Sequence, residues 1–107
     1  MMMKTRTEVL AMIRNLRSCK KDKGELDYNL MAYRYGTEGV VSTFNPAFME
    51  GFLSGLEYAY KENLTEEQLE DHWRAIQETG KLTMELIGER NAYGFVLDYT
   101  MPKPKGN

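Results

Sequence analysis

The chain has 107 residues, 42% of them apolar and 28% charged, which is the composition of one globular domain with a core rather than of a disordered chain. Its single cysteine, Cys19, excludes an internal disulfide and any zinc site built on several thiolates. The formal net charge of −2 conceals a segregation: residues 1–23 carry seven cations and two carboxylates, a net +5, whereas residues 25–98 carry five cations and fourteen carboxylates, a net −9. One-signed surfaces of this kind orient a protein toward a partner, or one part of a chain toward another.

Thr5 followed three positions later by Glu8 predicts a capping box, each side chain accepting from a backbone N–H near the other, and hence a helix over residues 6–21. Val9, Met12, Ile13, Leu16 and Cys19 recur at steps of three and four and form its apolar face. Lys20, Lys21 and Lys23 suit the negative carbonyl end of a helix, and Gly24 suits its stop. Residues 25–44 admit two readings. Leu26, Leu30, Tyr33, Thr37, Val40 and Phe44 step as the seam of a helix over residues 25–43, whereas residues 28–35 and 40–44 are rich in β-formers on either side of a Gly-Thr-Glu-Gly run, as in a hairpin. The helix is the preferred expectation.

Asn45-Pro46 predicts a sharp helix start, with asparagine as the cap and proline at the first position, where its missing N–H costs nothing. The helix over residues 46–62 carries Phe48, Phe52, Leu56 and Ala59 on one stripe, with Met49, Leu53 and Tyr60 beside it. Thr65 and Gln68 form a second capping box, and Leu64 and Leu69 a hydrophobic staple, opening a helix over residues 66–88. Leu69, Trp73, Ile76, Thr83 and Ile87 continue its inward stripe, which Gly80 is placed to kink or divide. Beyond Gly88, Phe95, Leu97, Tyr99 and Met101 alternate with Val96, Asp98 and Thr100, the period of an extended arm, before a solvated tail at residues 102–107. The expected architecture is all-α: one domain over residues 1–101, a bundle of about four helices with an extended C-terminal arm. The alternative is α+β, with a short antiparallel sheet from residues 28–44 and 94–101.

His72, the sole histidine, sits among Glu67, Glu70, Asp71 and Glu78. A ferritin-like metal site needs two Glu-x-x-His repeats on separate helices, and position 69 is leucine, so the plain reading is a solvated acidic face bearing a surface histidine. Cys19 shares the spacing of Met12 and Leu16 and reads as a small core residue. There is no phosphate-binding loop, no Gly-x-Ser-x-Gly elbow and no His-Glu-x-x-His run. No catalytic residue, cofactor or metal is therefore assigned, and a non-enzymatic role is expected. No stretch of about 18 apolar residues offers a membrane helix, and polar residues at positions 4–8 interrupt the start where a secretory leader would be apolar. The expected compartment is the cytoplasm.

What remains points to binding. Gly51 and Gly55, with Ser54 and Ala59, lay small residues along one side of their helix, either for close packing on a neighbouring helix or as a groove for a partner. Met31, Tyr35, Tyr58 and Tyr60 are large residues off the expected seams, of the types enriched at interfaces. Arg14, Arg17 and Lys21 share one helix face, as phosphate-contacting side chains would. The preferred function is a protein-interaction module, such as a small inhibitor or adaptor of bacterial or phage type. Its candidate contacts are Tyr35, Gly51, Gly55, Tyr58, Glu70 and Asp71, and a homo-oligomer is one form the partnership would take. The alternatives are a nucleic-acid-associated regulator using Arg14, Arg17 and Lys21, and a small-ligand binder with a pocket near Gly51 and Gly55 or near His72.

Overall fold

A computed structural model describes residues 3–37 and 45–99. In them the chain forms five helices: α1 (Arg6–Arg17), α2 (Tyr28–Thr37), α3 (Pro46–Lys61), α4 (Glu66–Gln77) and α5 (Met84–Val96). The mostly helical class follows the preferred expectation, with five helices in place of about four. Residues 28–35 are helical, which removes the hairpin proposed there, and the β pairing among the described residues is an isolated bridge between Lys20 and Leu26. Residues 38–44 and 100–107, invoked for the sheet, the arm and the tail, lie outside the described residues.

The helix starts form for the reasons the sequence suggests. Glu8 N donates to Thr5 Oγ1 at 3.1 Å and Thr5 N to Glu8 Oε1 at 2.9 Å, closing the first capping box. The Thr65–Gln68 box closes in the same way at 3.2 and 2.9 Å, and Asn45 Oδ1 accepts from Ala47 N at 2.9 Å. These bonds satisfy amides that a helix start leaves without intrahelical partners.

The helix ends depart from expectation. α1 stops at Arg17, four residues early, because Cys19 is fully buried and the chain turns inward to bury it. Asp27 N then donates to Cys19 O at 2.9 Å across a turn in which Gly24 holds φ at 83°, a conformation costly to side chains with a Cβ. Asp27 caps α2 through its side chain, accepting from Leu30 N at 2.9 Å. The seam expected for this helix holds in part: Leu26 and Leu30 pack against the core, but Tyr33 is 68% exposed, while Met31, Ala32 and Tyr35 are buried. Met31, Ala32 and Tyr35 make the buried stripe, with Tyr28 and Leu30 partly buried beside it.

The helix expected over residues 66–88 is divided at residues 78–83, and Thr83, read as an inward residue, caps α5 instead by accepting from Leu86 N at 3.1 Å. The arm expected from residue 94 does not begin there, since α5 runs to Val96 and both Val96 and Leu97 are buried. Only after Asp98, at φ 60°, does the chain leave the helical course, with Tyr99 N donating to Gly94 O at 2.9 Å.

α3 is the central element, burying Phe48, Met49, Phe52, Leu53, Leu56 and Ala59. Against α5 the approach is backbone to backbone. A Cβ added at Gly51 would stand 2.0 Å from Glu85 O, and one added at Gly88 would stand 2.0 Å from Phe48 O. Phe52 meets Phe95 edge-on across this contact, with ring centroids 6.0 Å apart. α1 and α2 also pack on α3, and α4 packs on α5.

The charge segregation is used within the fold. Lys4 Nζ pairs with Asp98 Oδ1 at 2.7 Å and lies 4.3 Å from the Phe95 ring centroid. Arg6 Nη1 donates to Tyr60 O at 2.9 Å and to Asn63 Oδ1 at 2.8 Å, its guanidinium 4.1 Å from the Tyr60 ring centroid. Arg17 pairs with Glu57. Two of the seven cations before Gly24 thus pair with carboxylates of the acidic remainder, and Arg6 adds bonds to neutral acceptors.

Candidate functional site

α4 is anchored by its buried residues Leu69 and Ile76, which leaves His72 and Trp73 to project sideways from the line of contact. Trp73 reaches along α5 to the side-chain-free position at Gly94 and meets Tyr99 edge-on at 5.8 Å. His72 instead enters the space between α3 and α5. Its ring centroid lies 5.6 Å from that of Tyr58, with the planes at 89°, and 5.5 Å from that of Tyr93, with the planes at 37°.

These rings line an open cleft of about 320 Å³, completed by Ser54 and Glu89. Each wall rests on a helical repeat: Ser54 and Tyr58 are one turn apart on α3, as are Glu89 and Tyr93 on α5. Tyr93 is 1% exposed, and its hydroxyl donates to Glu89 Oε2 at 2.7 Å. Burial first, and then this bond to a carboxylate, push the Tyr93 phenol well above its ordinary pKa, so it stays a donor at any physiological pH. Glu89 is thereby held in one orientation, and among the described residues its other oxygen accepts no hydrogen bond. Tyr58, at 44% exposure, forms the outer lip.

The sequence-derived candidates divide among three places. Tyr58 and His72 meet in the cleft. Tyr35, at 8% exposure, belongs to the core, so its place on an external contact surface is corrected by the register of α2. Gly51 and Gly55 are buried, and the space they leave is filled by α5: a Cβ at Gly55 would stand 2.8 Å from Ala92 Cβ. Glu70 lies beside the Tyr99 phenol, whose pKa is raised by its surroundings and then by this carboxylate. Asp71 is exposed, with Oδ1 3.6 Å from Arg74 Nη1. On α1 and the turn after it, Arg14 and Lys21 are exposed while Arg17 is engaged with Glu57. Cys19 Sγ is enclosed, 3.8 Å from both Asn15 O and Arg34 Nη1.

Glu89 and Tyr93 were not singled out from the sequence, and Ser54 was noted only as a small residue beside Gly51 and Gly55. The available signal was two polar pairs at four-residue spacing on helices that are otherwise largely apolar. Among the described residues no three His, Cys, Asp or Glu side chains converge as a metal site, and no helix is long and apolar enough to cross a membrane. No protein-family model, curated protein or solved structure matches the chain.

Proposed function

We propose that the protein is a non-enzymatic interaction module, a small inhibitor or adaptor, that docks a protein partner over the cleft formed by α3, α4 and α5. The observation that supports this reading is the cleft itself, in which an exposed Tyr58 and a half-buried His72 stand over a carboxylate held by a buried tyrosine. Tyrosine at such a position offers large contact area at low conformational cost, a property of residues that dominate interfaces. Residues 45–99 carry eleven carboxylates and four cations, so a basic partner surface is favoured. Nucleic acid on the α1 face is the lesser reading, since the chain carries a net charge of −2 and Glu57 lies beside Arg17 as a competing anion.

The test uses the purified full chain as bait in an extract of its native cell, beside Tyr58→Ala and Asp71→Lys, both changes at exposed positions. The expected result is one partner retained in stoichiometric amount by the unmodified chain and lost with Tyr58→Ala. Retention that neither change diminishes would remove this face as the docking surface.

A further inference from the structure

We infer that the cleft is a guanidinium receptor, taking the side chain of an arginine on the partner protein against the Tyr58 and His72 rings with Glu89 as its counter-charge. The inference rests on the docking reading above and names the chemistry of what enters.

The donor set is specific in kind. A guanidinium is planar, weakly hydrated and rich in N–H donors, so it stacks on aromatic faces and bonds carboxylates with a geometry that an ammonium lacks. The cleft supplies both complements. The rings of Tyr58 and His72 line it, and Glu89, on the opposite wall beside the buried Tyr93, supplies one carboxylate. Because Tyr93 donates to Glu89 Oε2 at 2.7 Å, that carboxylate is oriented before anything binds, so little rotamer entropy remains to be lost. The other Glu89 oxygen accepts no hydrogen bond among the described residues, and Ser54, exposed at the rim, adds a second acceptor. The volume, about 320 Å³, is at the lower end of small-molecule sites, which start at about 300 Å³, and suits one side-chain head rather than a folded element. The excess of carboxylates over cations in residues 45–99 attracts a positive group from a distance.

The arginine belongs to a different protein rather than to a second copy of this one. Among the described residues Arg6, Arg17, Arg34, Arg74 and Arg90 all have partners within the chain, so a copy would have to offer Arg14.

His72 gives the test its reporter, because as the sole histidine it contributes one imidazole Hε1 signal to the proton NMR spectrum. The probe is N-acetyl-arginine methylamide at constant pH, with its uncharged isostere N-acetyl-citrulline methylamide as the control. A saturable displacement of the His72 signal by the arginine probe is expected, with binding at least about tenfold weaker for citrulline and about tenfold weaker in Glu89→Gln, an isosteric change. Equal responses to the two probes, or indifference to Glu89→Gln, would overturn the inference. So would self-association of the unmodified chain that Arg14→Ala abolishes, since the cleft would then belong to a second copy. The two readings fail separately. A silent His72 signal alongside partner capture that Tyr58→Ala abolishes removes the guanidinium and keeps the docking face. A responsive signal alongside capture that ignores Tyr58→Ala overturns the partner protein as the source of the arginine.

Discussion

Replacing Gly51 by alanine tests whether α3 and α5 meet as closely as their backbones indicate. The new methyl carbon would fall 2.0 Å from the Glu85 carbonyl oxygen and 2.8 Å from the carbon of the same carbonyl. A carbon–oxygen contact closes to about 3.3 Å at the least, so the helices must part locally by about 1.3 Å. The obstacle is the backbone of another helix, not the end of a flexible side chain, and it cannot swing away. Overpacking of a core costs about 1–3 kcal/mol and occasionally more, and a clash with backbone belongs at or above the top of that range. Alanine's better helix propensity returns about 1 kcal/mol. The expected net loss is about 2–4 kcal/mol, which for a domain of this size lowers Tm by about 10–30 °C.

Urea titration followed by far-ultraviolet circular dichroism and by the fluorescence of Trp73 measures the loss. Gly88→Ala, whose methyl would fall 2.0 Å from Phe48 O, should match it from the opposite helix. Gly80→Ala, with no atom beyond its adjacent residues within 4 Å of the added carbon, should be close to neutral. A Gly51→Ala protein as stable as the unmodified chain, or a Gly80→Ala protein equally damaged, would refute the reasoning.

Arg17→Ala and Glu57→Ala should each cost less than about 1 kcal/mol in urea titrations, and less again at high salt, because both partners of this pair remain substantially exposed. Tyr93 titrates above its ordinary value in the folded state, so the unfolded chain gives up that proton first and folding stability falls as pH rises past about 10. Tyr93→Phe should flatten part of that alkaline slope in stability-against-pH curves, while losing about 1.5–3 kcal/mol at neutral pH with the bond to the Glu89 carboxylate. Glu8 moves the other way: the Thr5 backbone N–H, then the Thr5 hydroxyl, hold its carboxyl below the usual range, so the contribution is present above the unfolded pKa and is lost as pH falls through the folded one. Glu8→Gln, which can still close the capping box, should make acid fraying of α1 less dependent on pH in amide-exchange measurements.

The helix starts were legible because each is decided by a few neighbouring residues. Thr5 with Glu8, Asn45 with Pro46 and Thr65 with Gln68 cap where they were expected to, since the bonds that make a cap span three residues or fewer. The ends and faces were less legible, because both depend on what lies opposite. Residues 26–35 could centre their buried face on Leu30 and Tyr33 or on Met31, Ala32 and Tyr35 with nearly equal apolar content, and only packing on α3 centres it on the second set while Tyr33 turns outward. The alternation of Phe95, Leu97 and Tyr99 mimicked a strand while Ala92, Tyr93 and Val96, at helical spacing, kept α5 continuous.

The cleft was half legible for a related reason. Tyr58 and His72 attracted notice as an off-seam tyrosine and a lone histidine, yet each taken alone has a bland surface reading. Their chemistry comes from Glu89 and Tyr93, which fall between the helix expected to end at residue 88 and the extended segment expected from residue 94. With no helix expected over them, the one-turn separation that brings the Tyr93 hydroxyl to the Glu89 carboxylate could not be read. Gly51, Gly55 and Gly88 then matter to the site without lining it. By letting α3 and α5 touch through their backbones, they set the distance between the Ser54–Tyr58 wall and the Glu89–Tyr93 wall into which His72 of α4 enters. A change at Gly51 that forces the helices apart should therefore move the His72 NMR signal in protein that is still folded, coupling the packing of the core to the geometry of the cleft.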